Sequence, residues 1–304
     1  MDHPMDTIID IKHLTRRFGD KAALRNVTMS IRRGQVLGLV GENGAGKTTL
    51  IKHILGMYRA QQGSVSVFGM DPVTHPKEVL ARIGYLSEQP ELPEWMTVAQ
   101  LMNYMAAFYP SWDRRYATQL LETASIDPRA KIQELSKGGR ARVGLCAAQA
   151  HRPELLLLDE PSSGLDPVAR NEILAAVIRT VVNDGRSVLL SSHLLDEVER
   201  VCDHLVFFSQ GTVLLSETME TVLDKHYQIS VRYPGTLPWH SIPGIFKAVE
   251  DHGEWQLFCY SELEPLVALL RGLGAEILEQ RRLSLHESFL ARSPQRQNPT
   301  EEAA

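Results

Sequence analysis

The sequence predicts an α/β protein with a parallel core sheet, an antiparallel β-subdomain, a helical subdomain and a small C-terminal α+β appendage. Three observations carry that expectation. A glycine-rich loop lies between an apolar strand and a helical run. A four-leucine strand ends on two carboxylates. Beyond about residue 222 the composition shifts, and alternating strands surround a single helical run.

Taken in order, residues 7 to 31 read as antiparallel strands, first Thr7 to Ile11 and then Val27, Met29 and Ile31 in alternation. Gln35 to Val40 is a short apolar strand, and Thr49 to Leu55 has helical spacing that stops at Gly56. Between them stand Gly41, Glu42, Asn43, Gly44, Ala45, Gly46, Lys47 and Thr48, with the spacing of a phosphate-binding loop. Glycines let backbone N–H groups curl around phosphates, and a helix N-terminus favours negative charge. Lys47 is placed to reach the β- and γ-phosphates, with the Thr48 hydroxyl on Mg²⁺ and Thr49 completing the turn. The chain is thereby expected to bind a nucleoside triphosphate. Gly63 to Gly69 reads as a further short strand.

From about residue 92 to 152 the pattern is helical. Thr97 and Gln100 form a capping-box sequence, Tyr109-Pro110 breaks the helix, and Ser111 to Asp113 opens the next. Leu155 to Leu158 suit a central parallel strand covered on both faces. Asp159 and Glu160 end that strand at the edge where ligands collect in α/β sheets. Asp159 is expected on Mg²⁺, and Glu160 beside the γ-phosphate as general base. A strand over Ser187 to Leu190 leads into His193, which falls on the same edge. Leu194 to Val201 reads as an amphipathic helix, and Phe207 to Leu214 as strand, turn, strand.

Leu135-Ser136-Lys137-Gly138-Gly139-Arg140 opens a helical run about twenty residues before Asp159. Together with Asp159-Glu160-Pro161 and Ser163-Gly164-Leu165-Asp166, it resembles the ATP-binding cassette (ABC) ATPases, over roughly residues 7 to 222. The resemblance implies that Ser136 and Gly138 cap the γ-phosphate held by a partner cassette, so that sites form only at a head-to-tail dimer interface. It also implies adenine stacking on Phe18 and pairing of Asp166 across that interface. The sequence departs from the family pattern at two places. Lys137 and Gly139 replace a glycine and the glutamine of the Leu-Ser-Gly-Gly-Gln motif. Glu88 stands in the usual glutamine register, with Gln89 next, so either residue reaches the Mg²⁺ or the attacking water.

Composition bounds the alternatives. The chain of 304 residues has a net charge of −5, which gives no basic surplus for nucleic acid. Cys146, Cys202 and Cys259 are odd in number and far apart, reading as reduced thiols of a cytosolic protein. No apolar run reaches the roughly 18 residues of a membrane span, and Met1 to Asp6 lack a signal-peptide core. Beyond residue 222, Tyr227 to Tyr233, Trp255 to Tyr260 and Ala275 to Glu279 read as strands. Leu263 to Leu273 and Ser284 to Leu290 read as helices, and residues 293 to 304 as a disordered tail.

The expectation is therefore an ABC domain over 7–222, an appendage over 223–292 and a tail over 293–304. By resemblance the chain is the ATPase subunit of an exporter, using ATP and Mg²⁺. It would act through a separate transmembrane permease and a second cassette, identical or paralogous, at the inner face of the cell membrane. A soluble ABC ATPase acting on ribosomes or nucleic acid, or an importer ATPase, are the competing readings.

Overall fold

The computed structural model describes residues 6–293 and divides into two compact units, the first ending at Ser216 and the second starting at Glu217. The first unit opens with β1 (Thr7–Phe18), β2 (Lys21–Arg32), β3 (Val36–Val40), α1 (Lys47–Ile54) and β4 (Gln62–Val67). It continues through α2 (Pro76–Leu80), β5 (Ile83–Leu86), α3 (Val98–Ala106), α4 (Arg114–Thr123) and α5 (Lys137–Gln149). After these come β6 (Leu155–Asp159), α6 (Pro167–Asp184), β7 (Ser187–Ser192), α7 (Leu195–Val201), β8 (His204–Ser209) and β9 (Thr212–Thr218).

Two sheets and a helical layer result. The antiparallel sheet has the order β2-β1-β4, with Val27, Met29 and Ile31 turned inward as their alternation predicts. β1 and β2 run well past the apolar stretches that signal them. Bulges at His13 and Asn26, both at φ 52, carry the ladder onward, and the two side chains meet at 2.9 Å. The larger sheet has the order β5-β6-β7-β3-β8-β9, with β5, β6, β7, β3 and β8 parallel. Leu155 to Leu158 are all 0% exposed, as a strand covered on both faces requires. Gly84 of β5 sits where a Cβ would collide with the Ala148 carbonyl, so a larger residue there would push α5 off the sheet. The short helix α2 and strand β5 give weaker sequence signals than their neighbours.

α3, α4 and α5 share their own core of Val98, Leu101, Leu121, Ile132 and Val143. Thr97 and Gln100 form the predicted capping box, and Asp113 caps α4 through the Tyr116 N–H. His151 joins this helical layer to the sheet. Its ring stacks on Tyr109 at 3.9 Å, and Nε2 donates to the Ile83 carbonyl of β5 at 3.0 Å.

The second unit contains α8 (Met219–Lys225), β10 (His226–Arg232), β11 (Ile245–Asp251), β12 (Glu254–Tyr260), α9 (Leu263–Gly272), β13 (Glu276–Arg282) and α10 (Leu285–Arg292). Its antiparallel sheet has the order β11-β12-β10-β13. Tyr227, Ile229, Val231, Trp255 and Leu257 point into a core with Leu266 and Leu270 of α9. β11 carries no sequence signal, because its residues run from half-buried to exposed without alternation. The tail expected from residue 293 lies outside the described residues from 294 onward, as does the N-terminus up to residue 5. Among the described residues no helix is long and apolar enough to cross a membrane.

His151 generates a pH prediction. Burial holds its imidazole down to about 4. The charged ring would place a proton on Nδ1, which has no partner. Between pH 4 and 6.5 the unfolded chain therefore binds a proton that the folded chain refuses, so stability falls as pH falls through that window. At about 1.4 kcal/mol per unit, the loss from pH 7 to 4.5 approaches roughly 2 kcal/mol. In His151→Gln, which keeps an amide donor, urea unfolding at the two pH values should show that loss shrink. An unchanged pH dependence would mean that the imidazole is not its source.

Candidate functional site

β6, β7 and β3 are neighbours in the parallel sheet, and their registers decide where the site lies. Val40 stands opposite Ser192, and Asp159 opposite Ser191. The residues that follow each strand, Gly41, Glu160 and His193, therefore leave from one edge.

The loop from Gly41 to Lys47 is shaped by backbone contacts that only glycine permits. At Gly41 a Cβ would collide with the Phe208 carbonyl. Gly46 holds φ 112 as the N-cap of α1. α1 has no side-chain cap and no acidic residue in its first turn, which leaves its N-terminal N–H groups to an anion. Lys47 is buried, and its Nζ donates to the Gly41 carbonyl at 2.6 Å and the Glu42 carbonyl at 3.2 Å. It also pairs with Glu160 Oε1 at 2.9 Å. Glu160 Oε2 lies 2.6 Å from His193 Nδ1. Lysine, glutamate and histidine thus form one chain of contacts across the strand ends.

Asp159 is buried beside them. Burial pushes its carboxyl above the ordinary range, and the nearby Glu160 charge adds to this, against hydrogen bonds from Ser191 and Thr48. The Thr48 hydroxyl and the Asp159 carboxylate are thus in contact, two hard oxygen donors suited to Mg²⁺. Among the described residues no group of three or more His, Cys, Asp or Glu could hold a metal, so Thr48 and Asp159 alone do not complete a coordination shell. Tyr85 of β5 borders the site, its phenol pushed up to about 12 by burial and then by Asp159.

The other predicted residues stand apart from this cluster. Phe18 is 42% exposed, with its ring edge-on to Tyr58 at 5.6 Å and the Arg16 guanidinium near both rings. Glu88 accepts from Ser163 Oγ at 3.1 Å, and the exposed Gln89 accepts from Ser87 Oγ through its carbonyl. Ser136 caps α5 by accepting from the Gly139 N–H at 3.1 Å. Gly138 packs so closely on Ala169 that a Cβ would crowd it. Asp166 Oδ1 accepts from the N–H groups of Val168 and Ala169, and the Ala169 bond leads in holding its carboxyl below the ordinary range.

Sequence reasoning did not find the groups that hold the strand ends in place. Ser191 Oγ donates to Asp159 Oδ1 at 2.7 Å and accepts from the Glu160 N–H at 3.0 Å. Glu160 is thereby held at φ 49, a conformation uncommon for a side-chain-bearing residue. Buried Glu197 accepts from Ser162 Oγ at 2.6 Å and Ser192 Oγ at 3.0 Å, fixing the backbone that presents His193. The serines at 191 and 192 stand beside His193 in sequence and were the available signal, whereas Glu197 offered none.

A phosphate-ready helix N-terminus, a buried lysine and two adjacent carboxylates on a parallel sheet define a nucleotide-hydrolysing α/β protein. The ABC transporter family matches residues 24–163. Nod factor export ATP-binding protein I of Burkholderia lata is 31% identical over 293 residues, 93% of this chain and 95% of that protein. The ABC transporter ATP-binding protein YtrB of Bacillus subtilis is 28% identical over 294 residues, 94% of this chain and 98% of that protein. Among solved structures, an ATP-binding subunit of an ABC transporter superposes with a TM-score of 0.65 at 30% identity, covering 71% of this chain and 92% of that one. The chain belongs to the ABC transporter ATP-binding proteins and is an ATPase.

The serine brace yields a stability prediction. Ser191→Ala removes a fully buried hydroxyl and one of the hydrogen bonds to buried Asp159, which costs about 1–3 kcal/mol. Urea denaturation at pH 7 measures it. A change under about 0.3 kcal/mol would show that solvent or another donor replaces the hydroxyl.

Proposed function

We propose that this chain is the ATP-hydrolysing subunit of an ABC exporter, acting at the inner membrane face through a separate permease and a second cassette, identical or paralogous. The contact chain Lys47–Glu160–His193 supports this most directly. The phosphates of ATP lie along Gly41 to Thr49, held by backbone N–H groups and the open N-terminus of α1. Lys47 transfers from Glu160 to the β- and γ-phosphates. That frees a carboxylate oxygen of Glu160 to take the proton of the attacking water, while His193 keeps the carboxylate oriented. Thr48 and Asp159, with Glu88 or Gln89, would hold Mg²⁺, which when bound would supply charge neutralisation at the transferring phosphoryl group. Phe18 offers its exposed ring to adenine. Ser136, Gly138 and Asp166 serve the partner cassette's nucleotide and interface.

Export is favoured by Nod factor export ATP-binding protein I, whose similarity extends over both units of this chain. Affinity purification of the tagged protein from its native cell should bring down a polytopic membrane protein. Recovery of only soluble binding proteins or ribosomes would sink the exporter reading.

Two substitutions test the site. Lys47→Ala removes the charge that meets the phosphates, and a binding titration should show tight ATP affinity lost. Retained micromolar affinity would overturn the role of this loop. Glu160→Gln keeps the shape of the side chain and should bind ATP while hydrolysing it about 10²–10⁴-fold more slowly. Near-normal steady-state turnover would remove Glu160 from the role of base.

A further inference from the structure

Lys137 and Glu88, the two charged residues among those at which this sequence leaves its family's pattern, converge on one short turn. That turn runs from Ser162 to Leu165 and directly follows the catalytic-edge residues Asp159 to Pro161. Glu88 Oε1 accepts from Ser163 Oγ at 3.1 Å. Lys137 Nζ lies against Gly164, so close that a Cβ there would collide with it. Gly164 sits at φ 63, which already favours glycine. The turn is thin, closed by the Ser163 N–H on the Glu160 carbonyl at 3.0 Å and the Leu165 N–H on the Ser162 carbonyl at 3.1 Å. Anything that shifts it also shifts Glu160 at one end and Asp166, the cap of α6, at the other.

Glu88, Lys137 and Ser163 line one cavity of about 360 Å³, together with Glu91, Glu94 and Arg140. The charges there are uneven. Arg140 is committed to Glu94 at 2.9 Å. Among the described residues Lys137 makes no ion pair, and it shares the cavity with two further acids, Glu88 and Glu91. A glycine at 137 or a glutamine at 88 would remove one of the two opposite charges that flank the turn.

We infer that Glu88 and Lys137 act as an electrostatic pair that positions the Ser163–Gly164 turn for hydrolysis, Glu88 by holding the serine hydroxyl and Lys137 by covering the glycine. Lys137 is a positioning residue, and Glu88 acts on the turn through Ser163. The inference rests on the proposed role of Glu160, and the experiment has one arm that does not depend on it.

That arm is amide hydrogen exchange of the protein without nucleotide, read at Ser163 and Leu165. Exchange at both amides should quicken at least fivefold in Lys137→Met, which keeps the stem and loses the charge. Lys137→Arg should retain the protection, and 1 M salt should bring wild type toward Lys137→Met by screening. A packing role alone would not separate Met from Arg. The second arm is steady-state ATPase activity in the assembled transporter at low salt. Lys137→Met should lower kcat about threefold or more with KM for ATP unchanged, Glu88→Gln should also lower kcat, and the double variant should be no worse than the worse single. Unchanged exchange, equal exchange in Met and Arg, or strictly multiplicative losses in kcat would each overturn the inference. If wild type itself hydrolyses no ATP, the proposed function fails while the exchange arm still decides the turn.

Discussion

A lysine and a glutamate buried together at the carboxyl edge of the parallel sheet are the constraint on which the rest of the first unit depends. Lys47 and Glu160 are 5% and 7% exposed, so neither charge is solvated by bulk water. Taking two ions out of water costs several kcal/mol each, and their attraction recovers this only with close geometry and further hydrogen bonds. The surroundings supply these. Gly41 and Glu42 carbonyls complete the ammonium, and His193 takes the second carboxylate oxygen. Each requires its strand to end where it does, since a one-residue slip of β7 against β6 would turn the serine brace away from Asp159. A pair arranged at such cost is poorly explained as a stabiliser. It is well suited to be broken by phosphate, whose oxygens can replace the carboxylate on Lys47 and leave Glu160 free.

How much of this was legible follows from how local each signal is. The phosphate loop, the four-leucine strand and the Thr97 capping box are contiguous, and all three have the structural context that the sequence implies. The core sheet was readable because buried parallel strands are apolar runs. β11 was not, because Ile245 to Asp251 mixes charge with apolar residues on a half-exposed edge of its sheet. β1 and β2 outran their apolar stretches through a bulge built from the polar pair His13 and Asn26. The site divided along the same line. Glu160 and His193 were visible at strand ends, but Ser162 with Glu197 and Phe18 with Tyr58 are pairings across 35 and 40 residues that no local pattern encodes.

The helix N-termini of this chain differ in what they leave open to an anion. α1 begins without a side-chain cap, so its first N–H groups are open to an anion. α5 and α6 begin differently, with Ser136 and Asp166 occupying their N–H groups. The two capped termini are not thereby equivalent. A carboxylate such as Asp166 only accepts hydrogen bonds, so it offers an incoming phosphate charge repulsion and no donor. A serine hydroxyl accepts and donates at once, so Ser136 can keep the Gly139 N–H while turning its own proton toward a phosphate oxygen. Capping and phosphate recognition are therefore compatible at α5 and opposed at α6. On the proposed reading, that difference suits Ser136 to a partner's nucleotide and Asp166 to a protein donor.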